Sequence, residues 1–551
     1  MVLSYLQAET AAGRQPYSIF DLLAGLGTGF LANMCMTVVV PVALSSAEQR
    51  NHPSPLTGSG GVAAATSLGM SLSVVLMYPW PEHVMDSKGP FYVFATMLLV
   101  GNLAFLLVEV LEWPHFLLLA CRVLMSLGFG AGFAAKRRAG LEPNVRRREY
   151  LFMLFELSAS VGMASGPLLT GFLALAWPEE ATLVPPVQMS IFGALFLVAL
   201  CGCPLETPFT YTLAGADADA APPPAAPAAP PAARELSEAT PLVMGAKGLV
   251  PKGDPSDPAV AAAAAPPPPP PLWVSATVQS VCLLFGIGRN FLKFGFESAM
   301  VVVYDRQFGF SEGSAGVLAG MCALSSIVSI FVYKGVCVSR FSTATLLLIA
   351  ELLAITSALC MIATAATLPN VVDDGYTLAA HKYTPPRDAA TRADVFAATA
   401  YGYADAAHDP HVSGEAVGGA GLSATTLIAL TVGASLLFYP AMYVGAALGN
   451  SHPLQYAQPL HPLLSRSAMV AQQELLQTTV GKGLGMLFCR VALGDPPRVA
   501  SLGAIFLLVM VVQAVALAIG WDPPKTLACF ALVTSGRRGV APRRQKRPVF
   551  P

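Results

Sequence analysis

Twelve apolar stretches of roughly 20 residues recur along the chain, and that recurrence restricts the fold more tightly than anything else in the sequence. Twenty residues rising 1.5 Å each cross about 30 Å of hydrocarbon. Inside that layer no water is at hand for a bare amide, so each stretch must satisfy its backbone as a helix. The stretches lie at about 19–44, 59–78, 91–111, 115–135, 151–177 and 187–205, then at 274–303, 313–333, 342–367, 421–448, 467–491 and 500–520. They are called spans 1 to 12. Charged residues make up only 12% of the chain, against about 25% in a soluble domain. The expected fold class is therefore an all-α membrane protein of twelve transmembrane helices in two six-helix halves.

The boundaries follow from composition. Residues 1–18 form a short leading segment, 19–205 the first half and 273–520 the second. Between the halves lies 206–272, a Pro- and Ala-rich linker with the run Pro266–Pro271, a composition suited to polyproline or irregular chain. A long polar loop, 368–420, interrupts the second half, and 521–551 is a basic tail. If the N-terminus is cytoplasmic, inner segments hold 21 Lys and Arg and outer segments 6. That bias fits the positive-inside rule with both termini cytoplasmic. The ten cysteines lie in or beside apolar blocks without a CxxC pair, so they read as small core residues.

Charges within spans carry the functional reading, because each costs about 2.5–3.5 kcal/mol at depth and so should face the bundle interior. Arg289, Lys293 and Glu297 follow at i, i+4 and i+8 in span 7, on one helical face. Lys293 and Glu297 are expected to pair, leaving Arg289 with its charge unneutralised. Span 11 holds Gln473, Glu474, Gln477, Thr478, Lys482 and Arg490, too many polar groups for a lipid-facing helix. Spans 7 and 11 are expected to line a polar path in which Arg289, Lys293, Lys482, Gln473 and Gln477 hold an anion by charge-assisted hydrogen bonds. Glu297 and Glu474 are the proton-coupling candidates. Arg122 either snorkels from span 4 to the headgroups or takes part in that coupling. Glu156 is read as a latch for the basic loop, Glu351 stands alone in span 9, Asp21 is read as part of a capping box, and the cluster of Tyr439 and Tyr443 as packing.

Spans 4 and 5 carry the most specific pattern. Arg122 is followed by Gly128 and Gly130, then by Lys136–Arg138 and Arg146–Arg148, then by Gly162, Gly166 and Pro167 in a GxxxGP element. Paired glycines let two helices approach closely, and the proline frees a backbone bond where the helix can bend. This order resembles the major facilitator superfamily. Asp86 and Gly89 between spans 2 and 3 are similar to that family's G-x-x-x-D-R-x-G-R loop, and Gly335 with Arg340 to its second copy, both degraded. The resemblance implies gating roles for Asp86, Gly89 and Arg340. Lys293, Phe294 and Glu297, with Lys136 and Arg137, also look like the membrane core of SPX-type vacuolar phosphate transporters and lysosomal facilitator-domain anion channels. That likeness implies an inorganic anion in an endomembrane. About 18 residues precede span 1, so no SPX domain is expected.

The expectation is alternating access by two rocking halves around a midplane site. The solute is a small anion such as phosphate, and protons are the candidate coupling ion. A proton-coupled exporter of organic cations, using Glu474 and Glu297, is the alternative. A non-transporting scaffold or receptor on a facilitator core is the third reading. Net charge of −1 disfavours nucleic acid. Neither a nucleophile elbow nor HExxH, Walker loop or metal spacing is found, so no catalytic residue, metal or cofactor is expected. The basic tail is expected to touch anionic lipid.

Overall fold

A computed structural model describes residues 19–85, 87–141, 145–202, 270–306, 308, 310–332, 343–367, 424–458, 461–493 and 499–520. Asp86, Arg340, the loop 368–420, the tail 521–551 and the linker as far as residue 269 lie outside the described residues. Among the described residues, nine helices are long and apolar enough to cross a membrane, and two shorter apolar helices, Leu22–Thr37 and Glu312–Val328, accompany them. Span 11 brings the bundle to twelve. Its polar residues keep it out of a hydropathy count, yet it runs helically from Arg466 to Leu493. Leu195, Val198 and Leu508 point outwards, where lipid replaces the water that such side chains would avoid.

Several spans are interrupted where the sequence suggested one unbroken helix. Span 1 is Ile19–Thr37, a turn, and then Ala43–Gln49. Span 4 is His115–Ser126 and Gly130–Leu141, six residues longer than the apolar window because the helix carries its charges past Ala135. Span 11 has a π-helical stretch, Gln477–Gly483, between two α-helical ones.

Each break leaves a carbonyl that must be satisfied in a dry interior. Pro167 in span 5 has no N–H, which frees the carbonyl of Met163 one turn back. Thr37 at the end of span 1's first piece donates to it at 3.0 Å. Pro440 in span 10 frees Leu436 in the same way, and Ser325 of span 8 donates to that carbonyl at 3.4 Å. In span 4 the freed carbonyl of Leu127 accepts from Ser73 Oγ, which also accepts from Gly130 N at 2.7 Å. The kinks are thus bonded to neighbouring spans, so bending at a proline is coupled to helix packing.

Span 5 packs along span 1 within the first half and along span 8 across to the second. Gly162 and Gly166 make the first of these contacts possible, since a Cβ on Gly162 would run into the carbonyl of Phe30. Gly162→Leu is expected to cost at least about 1–3 kcal/mol of stability by overpacking. A thermal-unfolding scan of the detergent-solubilised protein reads this, and an unchanged midpoint would contradict the packing described.

Candidate functional site

Among the described residues the spans meet around a small cavity of about 20 Å³, lined by Asn33, Lys136, Glu156, Ala159, Asn290, Lys293, Glu474, Gln477, Thr478 and Lys482. Spans 1, 4 and 5 contribute from the first half, spans 7 and 11 from the second.

Ion pairs cross between the halves here. Lys136 Nζ lies 2.5 Å from Glu474 Oε1 and 3.8 Å from Glu156 Oε1. Lys293 Nζ lies 3.9 Å from Glu156 Oε2 and sits over the Tyr443 ring at 4.2 Å. Behind them runs a chain of amides. Asn290 Nδ2 donates to Gln477 Oε1 at 3.0 Å, Gln477 Nε2 to Asn450 Oδ1 at 2.8 Å, and Asn450 Nδ2 to Glu156 Oε1 at 3.4 Å. These bonds orient Glu156 and hold spans 5, 7, 10 and 11 in register.

Lys482 differs from the other two lysines. Its Nζ stands 5.1 Å from the centre of the Phe294 ring and makes no hydrogen bond or ion pair among the described residues. The hydroxyl of Thr478, also in the wall, has no hydrogen-bond partner among the described residues. The π-helical winding accounts for their placement. An i→i+5 repeat sets Lys482 beneath Gln477, whereas α-helical winding would turn it aside. With three lysines and two glutamates, the wall carries one formal positive charge in excess.

Several expected roles need correction. Lys293 and Glu297 do not pair with each other. Glu297 Oε2 accepts from Tyr439, its Oε1 has no partner, and Lys293 turns to Glu156 instead. An i, i+4 pair competes here with better-placed partners on other helices. Arg289 is not unneutralised, since its Nη2 lies 2.9 Å from Glu351 Oε1. The guanidinium stacks on Phe285 at 4.8 Å and donates to the Ala441 carbonyl at 2.7 Å, away from the cavity wall. Glu351 is accordingly not alone, because span 9 turns it inward. Gln473 is buried but does not line the cavity. Arg122 is fully buried, so it does not snorkel, and its Nη2 donates to the Cys35 carbonyl at 2.7 Å.

Lys136 and Glu156, read from sequence as loop charges, belong to the wall. A signal was available for Glu156: it is a carboxylate inside an apolar span, subject to the same penalty that singled out Glu297. For Lys136 the signal was hidden, because an apolar window ends where the first lysine begins. Gly89 begins span 3, its N–H donating to Ser87 Oγ at 3.0 Å.

Comparison with known proteins now settles the family. The model of the Major Facilitator Superfamily matches residues 25–380. The chain belongs to the Major Facilitator Superfamily. Among solved structures, the crystal structure of a D-xylose-proton symporter matches at a TM-score of 0.54 with 12% identity, covering 90% of this chain and 97% of that one. At that identity the likeness carries the fold, which is the two-halved facilitator bundle. Among curated proteins none matches the sequence significantly. As a facilitator-superfamily member the chain is a multi-pass integral membrane protein of a secondary-transport family, and its partners are the bilayer and a small solute.

Proposed function

We propose that the protein moves a small inorganic anion, phosphate being the leading candidate, by alternating access coupled to protons. The observation that carries this reading is Lys482, an ammonium group in the cavity wall that makes no hydrogen bond or ion pair among the described residues. An anion placed there gains a charge-assisted bond from Lys482, a hydroxyl bond from Thr478, and the field of Lys136 and Lys293. Glu297 supplies the coupling. It stands one turn from Lys293 with one oxygen unpartnered. Protonated, it leaves the wall's excess positive charge intact, and the anion is held. Ionised, it cancels that excess, and the anion is released. The likeness to vacuolar phosphate transporters and lysosomal anion channels points to the same solute class and to an endomembrane. The distribution of Lys and Arg supports cytoplasmic termini.

The organic-cation alternative needs an available carboxylate in the wall. Both wall carboxylates, Glu156 and Glu474, are engaged by lysines, and Glu297 does not line the wall, which favours the anion. Purified protein in liposomes provides the test. Phosphate uptake should rise several-fold with an inward proton gradient and should be insensitive to excess tetraethylammonium. Uptake of the organic cation that phosphate does not affect would defeat the proposal, and no flux of any solute would favour the scaffold reading.

A further inference from the structure

Two buried guanidinium groups converge on the interruption of span 1. The first helical piece ends at Thr37 and the second begins at Ala43. Among the described residues the carbonyls of Cys35, Met36 and Val40 receive no backbone N–H, and a helix C-terminus carries partial negative charge. Arg122 of span 4 donates from Nη2 to the carbonyls of Cys35 at 2.7 Å and Met36 at 3.4 Å. Arg490 of span 11 donates from Nη2 to the Val40 carbonyl at 2.9 Å, while its Nε bonds Ser298 Oγ at 2.8 Å and Ser298 O at 3.0 Å. Both side chains are fully buried, and neither forms an ion pair among the described residues.

The two contacts differ in what they join. Arg122 and span 1 belong to the same half, so that contact can persist as the halves rock. Arg490 and Ser298 belong to the second half and Val40 to the first, so this contact closes the seam between them. Some sixteen residues earlier, roughly 24 Å along the helix, Glu474 on the same span receives Lys136 across the same seam. That contact forms the cavity wall on the side where span 6 ends at Gly202 and span 7 begins at Leu272, here called the linker end. The π-helical stretch Gln477–Gly483 separates the two.

We propose that Arg490 is the gate residue at the end of the path away from the linker, the counterpart of Lys136 with Glu474 at the linker end, and that span 11 carries both gates. Opening at either end must break one of these contacts. The partners suit reversible closure. When the seam parts at the Val40 end, water reaches Arg490 as its carbonyl leaves, so the released charge is solvated rather than stranded. The π segment lets the two gates open separately. Its i→i+5 bonds can relax to α-helical ones, and that change turns one end of the span relative to the other. The device concerns closure and does not depend on which solute is carried.

Hydrogen–deuterium exchange with mass spectrometry on the full chain in lipid nanodiscs tests this. Arg490→Gln should raise exchange about tenfold or more in peptides covering 38–54, in line with the loss of a charged hydrogen bond, and lower it in peptides covering 466–476. Lys136→Gln should do the reverse. A brace without a gating role would raise exchange at both ends or at neither, and either result overturns the proposal. Should Arg490→Gln fail to fold, Ser298→Ala decides. It removes the hydroxyl that seats Nε and should give a smaller shift of the same sign, whereas unchanged exchange at 38–54 would overturn the assignment.

Discussion

Replacing Lys482 with methionine should reduce anion flux by roughly 30- to 4,000-fold while leaving the protein folded. The range corresponds to about 2–5 kcal/mol for losing one partner of a buried charged bond, at about 1.4 kcal/mol per tenfold. The reasoning turns on what Lys482 does without solute. Its Nζ bonds nothing in the protein among the described residues, so methionine, of similar length, leaves no carboxylate bare. Stability should hold or rise slightly, since an ammonium group no longer has to be buried. Lys136→Met is the contrasting case: it strands Glu474 and takes one of two lysines from Glu156, so both flux and stability should fall. Flux assays in liposomes with parallel thermal scans separate the two. Near wild-type flux in Lys482→Met would remove the central support for the anion reading.

The second large effect concerns Arg289, which sequence reasoning placed among the solute ligands. Arg289→Met should cost about 3–5 kcal/mol of stability, because it leaves Glu351 charged and alone in a dry interior. Adding Glu351→Leu should recover most of that loss, since replacing both partners of a buried ion pair with apolar groups is often neutral or stabilising. Anion flux per folded molecule should then approach wild type. Unfolding midpoints of the two variants, followed by flux of the double variant, provide the check. A stable double variant without flux would return Arg289 to the site and count against the separation of its pair from the cavity.

The contrast between Lys482 and Arg289 marks where sequence reasoning stops. Both are cations at depth, and the penalty for charge in lipid identifies both as inward-facing. It cannot say what each meets there, because the partner belongs to another helix. Arg289 meets Glu351, about sixty residues on. Lys293 meets Glu156 from the other half, in place of Glu297 four residues away. The π-helical winding that brings Lys482 under Gln477 is equally silent in an apolar periodicity, because it alters the repeat over only seven residues.

Solvation alone settled much of this protein. The hydrocarbon layer demands helices of a set length, an apolar exterior and charges turned inward, and each demand acts on a span by itself, so it is written in local composition. The spans and the polar character of spans 7 and 11 followed from that, while the facilitator resemblance came from the motifs of spans 4 and 5. Tertiary structure decided which charges cancel, which has no ion pair among the described residues, and where Lys136 and Glu156 belong. Pairing in a medium of low dielectric depends on distances of a few ångströms between helices, and only the packed bundle sets those distances.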